Sequence, residues 1–254
     1  MKKNIIIIVS LLVMTSCVSK KEILYMQDSE EYNNTSINYS TPKIQPNDIL
    51  KVTVGALEAE AAIPYNKITS GSTGGAASVE MMKLEGYIVT EENTINFPEL
   101  GEISTKNKAV LQLQSDIKNR LELGGHLKNP TVNIRLLNAK VTLLGEVNNP
   151  GTFNFTEQNI TLLQALGLAG DLTINGKRED ILIMREADSL RQISHIDITS
   201  AELLTSPFYN IKPNDVIIVN PNEPKVKSAG FVGNVGTLLS VVSILLSTIV
   251  LITR

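Results

Sequence analysis

From Phe231 to Ile252 the chain carries no charged residue. A run that apolar does not sit on the surface of a water-soluble domain, and its length suits a membrane helix. The sequence therefore predicts a C-terminal transmembrane helix over residues 230–254. Its polar residues are grouped. At about 100° per residue, Asn234, Thr237, Ser240, Ser243, Ser247 and Thr248 fall within one arc of about 140°, together with Gly230, Gly233 and Gly236. Leu238, Val242, Leu245, Leu246 and Ile249 crowd the opposite side, with Ile244 the chief intruder. Small and hydroxylated residues line helix–helix contacts in membranes, and the same stripe suits the wet lumen of a ring of identical helices. Asn234, Thr237, Ser240, Ser243 and Ser247 are thus candidate lumen-facing or packing residues, and both readings stay open.

The other end is apolar too, but shorter. Lys2 and Lys3 precede the run Ile5–Val13, which is too short to span a bilayer and reads as the core of a signal peptide. Met14-Thr15-Ser16-Cys17 resembles a bacterial lipobox, with Met14 where Leu is usual. Residues 1–16 are then a lipoprotein signal peptide and Cys17 the lipid anchor, whose two acyl chains suffice for stable attachment. Cys17 is the single cysteine of the 254 residues, so an intramolecular disulfide and a thiolate metal cluster are both excluded.

Between the ends the chain has soluble character. Its net charge is −3 with no basic stripe, which speaks against nucleic acid as a partner. Trp is absent and aromatics make up 4% of residues, so no large aromatic cleft is expected. Residues 17–43 are polar and rich in Asn, Ser and Thr, as in a tether. The phrase Pro-Asn-Asp followed by branched apolar residues then occurs twice, at Pro46–Asp48 and Pro213–Asp215. Pro presets φ and Asn tolerates turn conformations, so each copy predicts a turn that launches a strand. Gly55–Lys83, with its run SGSTGGAAS, is expected as a long mobile loop; it lacks the Gly-Lys-Ser/Thr ending of a phosphate cradle.

Tyr87–Thr90 and Thr94–Phe97 read as two strands across a turn at Glu91–Asn93. Val110, Leu113, Ile117 and Leu121 recur at helical spacing and are stopped by Gly124-Gly125. Val132, Ile134 and Leu136 alternate as on a half-buried strand. A second unit begins with Val141, Leu143, Gly145 and Val147 and turns through Asn148–Gly151, where Gly151 is expected to need a conformation reserved for glycine. A short apolar helix in ITLLQALGLAG, ending at Gly167 or Gly170, the strands ILIMRE and RQISHIDI, and the strand after the second Pro-Asn-Asp follow. Hairpin, helix and returning strands is the element order of a β-grasp unit.

These pieces resemble the Wza-type outer-membrane polysaccharide export family from about Ile44 to Pro221. Gln45-Pro46-Asn47-Asp48-Ile49-Leu50 matches the turn and strand that open that family's export domain. Glu85-Gly86-Tyr87-Ile88 and Phe97-Pro98-Glu99-Leu100-Gly101 match its next block, and Ser104-Thr105-Lys106-Asn107 departs from the one after. Gly145-Glu146-Val147-Asn148-Asn149-Pro150-Gly151, with Leu162, Ala165 and Ala169-Gly170, is similar to a soluble-ligand-binding β-grasp (SLBB) domain, in which Asp171 stands where a second Gly is usual. The resemblance implies an α+β fold: an export domain of strands with one helix at 44–138, a β-grasp (SLBB) domain at 139–222, and the C-terminal transmembrane helix.

It also implies an oligomeric, lipid-anchored ring that conducts capsular or exopolysaccharide across the outer membrane. An inner-membrane polysaccharide co-polymerase or kinase is the implied partner. The alternative is a membrane-tethered periplasmic glycan-binding or scaffolding lipoprotein without a pore, with the inner membrane as the alternative location. No cofactor is expected, and no enzyme. His126 and His195 read as structural, and neither metal-ligand spacing nor Gly-x-Ser-x-Gly occurs. Glu58, Glu60, Glu91, Glu92 and Glu99 read as solvated loop acids, without the rigid scaffold that paired catalytic carboxylates need.

Overall fold

The computed structural model describes residues 20–32, 41–67, 79–187, 190–229 and 235–252. The first half builds on β1 (Ile49–Gly55), whose alternation puts Leu50, Val52 and Val54 inside and Lys51 and Thr53 outside. After the short helix α1 (Val79–Glu85), β2 (Tyr87–Ile88) pairs with β1 on one side. The hairpin of β3 (Thr94–Phe97) and β4 (Gly101–Ser104) follows. Helix α2 (Val110–Leu123) buries Leu113, Ile117 and Leu121, and it stops where Gly124 caps it and Gly125 turns to φ 71°. Then β5 (Thr131–Leu136) returns antiparallel to β1, completing a sheet of order β2-β1-β5 over one hydrophobic core.

The second half starts at once with β6 (Lys140–Gly145) and β7 (Gly151–Asn154). The two-residue β8 (Ile160–Thr161) leads into helix α3 (Leu162–Leu168), capped by Thr161, whose Oγ1 accepts from the Gln164 N–H. The long hairpin of β9 (Gly176–Ala187) and β10 (Leu190–Ile196) follows, then β11 (Asn210–Ile211) against β8 and β12 (Val216–Pro221). The sheet order is β10-β9-β12-β6-β7, with β6 and β12 parallel, Val216 opposite Thr142 through Val219 opposite Gly145. Helix α3 covers a core separate from that of the first half. Leu136 packs against both cores, at the point where β5 hands over to β6.

Both Pro-Asn-Asp phrases launch a strand, and by the same turn. Asn47 and Asn214 sit at φ 68° and 69°. The Asp48 N–H donates to the Gln45 carbonyl and the Asp215 N–H to that of Lys212, each at 3.2 Å. Each carboxylate reaches back to the first N–H of its turn, at 2.8 Å. These are type II turns with Asn in the left-handed position. They differ in one respect. Asp215 is buried against Arg185, whose Nη2 lies 2.6 Å from Oδ2, whereas Asp48 is buried with no cation paired to it among the described residues.

Several expectations need correction. The C-terminal helix α5 runs Val235–Ile252, following the six-residue α4 (Glu223–Ser228). Its 18 residues rise about 27 Å, short of the roughly 30 Å hydrocarbon core. Among the described residues no helix is long and apolar enough to cross a membrane, so the α+β architecture stands without the C-terminal transmembrane helix. The turn at Glu91–Asn93 forms, closed by the Thr90 N–H on the Thr94 carbonyl, but the ladder of Thr94–Phe97 is with Gly101–Ser104, while Tyr87 and Ile88 pair with β1. Part of Gly55–Lys83 is ordered: a 3-10 helix over Ala59–Tyr65 puts Ala62 and Tyr65 into the core, and α1 follows. Residues 68–78 of that stretch lie outside the described residues.

Candidate functional site

The solvent phase of the β1/β5 ladder forms one wall of a cleft between the two halves, with a volume of about 760 Å³. That size falls in the range of ligand sites, and domain junctions are where such sites concentrate. Register sets its floor: Lys51 lies directly opposite Arg135, and Thr53 directly opposite Asn133. Met82 of α1 and Leu111 of α2 flank that floor, while Thr156, Glu157 and Gln158 face it from the second half. The Lys51 ammonium reaches the Met82 sulfur at 3.3 Å. The Glu157 carboxylate accepts from the Thr156 N–H at 3.0 Å. The junction is braced by Asn138, whose side chain accepts from the Ile49 N–H and donates to the Asn47 carbonyl, and by Gln45, whose amide donates to the Glu186 carbonyl.

A second feature gathers both ends of the chain at one pole of the second half. The stretch Lys20–Tyr32 docks onto it: Met26 and Gln27 N–H groups donate to the carbonyls of Ile198 and Thr199. Asp28 accepts from the Ala201 N–H and the Ser200 hydroxyl, capping the 3-10 helix Ala201–Thr205. These bonds, the Ala201 N–H first, hold the Asp28 carboxyl below its ordinary range. Tyr25 donates to Asp171 at 2.5 Å, and burial, with that carboxylate second, pushes its pKa up to about 12. The guanidinium of Arg178 lies 5.5 Å from the Tyr25 ring centroid, a cation–π contact. The chain leaves β12 at the same place, Pro221 opposite Gly176 and the Asn222 N–H on the Asn175 carbonyl.

Asp171 explains its own departure from the usual Gly. It holds φ 73°, a conformation costly for most side chains. Its Oδ1 accepts from both Tyr25 and the Leu172 N–H.

Of the residues singled out from the sequence, Cys17 and Asn234 lie outside the described residues. Thr237, Ser240, Ser243 and Ser247 share helix α5. The hydroxyls of Ser240 and Ser247 turn back onto the carbonyls of Gly236 and Ser243, and that of Thr248 onto Ile244. His195 pairs with Asp180 across β9 and β10, at 2.5 Å and largely exposed, and His126 lies 3.3 Å from the Tyr65 hydroxyl. Among the described residues no cluster of three His, Cys, Asp or Glu is placed to hold a metal ion. Sequence reasoning missed the cleft. Its trace was there, in the polar phase of ILKVTV and TVNIRL, where Lys51, Thr53, Asn133 and Arg135 alternate with core residues.

Comparison with known proteins agrees with this architecture. Residues 38–137 match the family described as polysaccharide biosynthesis/export protein, and residues 140–193 match the SLBB domain. The chain is 31% identical over 159 residues to the EPS I polysaccharide export outer membrane protein EpsA of Ralstonia nicotianae, covering 58% of this chain and 39% of that protein. It is 27% identical over 198 residues to the capsule polysaccharide export outer membrane protein CtrA of Neisseria meningitidis, 76% of this chain and 48% of that one. It is also 26% identical to the Vi polysaccharide export protein VexA/TviF of Salmonella typhi, over 92% of this chain and 70% of that protein. The chain thus spans half or less of the length of the first two relatives. It carries, in tandem, a segment that matches the polysaccharide biosynthesis/export protein family at residues 38–137 and one that matches the SLBB domain at residues 140–193.

Proposed function

We propose that this protein is a lipid-anchored subunit of an oligomeric conduit that passes capsular or exopolysaccharide across the outer membrane. It resides at that membrane with its two domains on the periplasmic side, and an inner-membrane co-polymerase or kinase delivers the polymer from below. The role is one of passage and demands no reaction from the chain itself. The observation that carries this reading is the tandem of export and SLBB domain matches, together with similarity to proteins named as polysaccharide export outer membrane proteins.

The docked tether supports the anchored geometry. From Lys20, the first described residue, back to Cys17 is three residues, a reach of at most about 11 Å. An acylated Cys17 therefore holds the pole at Asp171–Arg178 close to the lipid headgroups. Gly236, Ser240, Ser243 and Ser247 form one strip of small residues along α5 that suits close contact between copies of the helix.

Fatty-acid labelling and in-membrane cross-linking test this reading together. Labelled wild-type protein, unlabelled Cys17→Ser protein and a closed set of cross-linked multimers are expected. Label persisting on Cys17→Ser contradicts the anchor. A protein that stays monomeric in the membrane contradicts the conduit and leaves a tethered glycan-binding lipoprotein.

A further inference from the structure

We propose that the floor of the interdomain cleft is an anion site that binds the carboxylates of an acidic saccharide through Lys51 and Arg135. The saccharide part rests on the export reading; the anion part rests on geometry alone. Two cations directly opposed across an antiparallel ladder repel each other, and such pairs are selected against unless something offsets them. Several other surface cations of this protein have acids beside them, and those that lack one among the described residues, such as Lys128 and Lys140, do not face a second cation across a ladder. Arg191 pairs with Glu186, Lys177 with Asp180, Lys227 with Glu223, and Lys108 and Arg120 share Asp116. At the cleft floor no carboxylate pairs with either cation among the described residues. Lys51 touches a thioether, and Arg135 makes no hydrogen bond or ion pair with a described residue. Glu157 is the single acid among the lining residues.

The neighbouring pair fits the rest of a sugar. Thr53 and Asn133 stand next on the same face, opposite each other, with a hydroxyl and an amide that make no side-chain bonds to described residues. One step of the same strand face is about 6.5–7 Å, so an anion held between Lys51 and Arg135 places adjacent ring hydroxyls over Thr53 and Asn133. Leu111, Leu136 and Pro42 supply apolar surface for the C–H faces of a ring. The Arg fork suits a planar carboxylate bidentately and a phosphate as well, so it is Thr53 and Asn133, placed for ring hydroxyls, that favour a uronate over free phosphate on this floor.

The test is calorimetric titration of the full-length protein in detergent with a short oligogalacturonate, a maltooligosaccharide of equal length, and inorganic phosphate. The oligogalacturonate is expected to bind at least tenfold more tightly than the neutral glycan, and more weakly as salt rises. Lys51→Gln and Arg135→Gln should each weaken it about tenfold, with thermal stability unchanged or raised because the repulsion is relieved. Equal affinity for the neutral glycan, no binding of the oligogalacturonate, or binding indifferent to both substitutions overturns the site. Phosphate binding as tightly as the oligogalacturonate reduces it to an anion site and overturns the uronate assignment. If the oligogalacturonate binds as expected while cells lacking the protein still display their polysaccharide, the export reading falls and the site stands. If export depends on the protein but the oligogalacturonate does not bind, the site falls alone.

Discussion

Asp48 and Asp215 occupy the same turn, yet the protein treats them oppositely. Asp215 is matched by Arg185, which also donates to the Asn210 carbonyl and stacks over Phe208. Asp48 has a single N–H from Gln45, and burial, the dominant cause, raises its pKa to about 6 while that bond pulls the other way. A folded pKa above the unfolded value of about 3.9 means that the folded state favours the protonated acid. Its contribution to stability is therefore complete below about pH 4 and is lost as pH rises through about 6, up to about 3 kcal/mol. Asp48→Asn keeps an acceptor for Gln45 and removes the titration. Denaturant unfolding across pH 4 to 7.5 should show a flatter profile for the variant and a gain at the upper end. A wild-type slope that survives in the variant contradicts this account of Asp48.

Glycines sort in the same way. Gly145 holds φ 86°, and a Cβ there would meet the Val219 carbonyl oxygen at 2.1 Å, inside the parallel β6–β12 pair. Gly151, which the sequence singles out, has no positive φ, and a Cβ there would meet nothing nearer than the Phe153 ring at 3.9 Å. Gly145→Ala should cost about 3 kcal/mol or more through strain and lost pairing, while Gly151→Val should stay within about 0.5 kcal/mol of wild type. Thermal melts of the two variants check the contrast. The reverse order would place the close approach in the wrong turn.

At the scale of elements, local period made most of the fold readable. The 110–123 helix follows from Leu113, Ile117 and Leu121, and both Pro-Asn-Asp turns follow from residue type. What sequence did not reveal is partner choice. Nothing in Thr94–Phe97 says that its ladder partner is Gly101–Ser104 and that Tyr87 and Ile88 pair with β1, since alternation marks a strand without naming its neighbour. The cleft is hidden for the same reason: it needs the register of β1 on β5 and the approach of the second half.

The tether was legible only as polar, whereas its docking depends on Asp171, 146 residues from Tyr25. Joint replacement Tyr25→Ala and Asp28→Ala removes three side-chain bonds of the docked segment. Each is worth about 1 kcal/mol, and cleavage in the open state tracks its population. Trypsin should then cut at Lys20 and Lys21 at least about tenfold faster than in wild type. An unchanged rate means that the segment does not dock in solution.

At the scale of the whole molecule, two domains share one direct junction, and both ends of the chain leave the second domain at the Asp171–Arg178 pole. Under the proposed anchoring at Cys17, the second domain would lie next to the membrane and the first domain would project away from it. This order suits a ring whose cleft floors and export domains meet the polymer before it reaches the membrane. The decisive measurement is the partition of polysaccharide between cell surface and periplasm in cells lacking this protein, with wild-type and Cys17→Ser chains returned separately. The account predicts that polymer vanishes from the surface and accumulates in the periplasm, and that wild type restores display while Cys17→Ser does not. Undiminished surface polysaccharide in cells without the protein would contradict it.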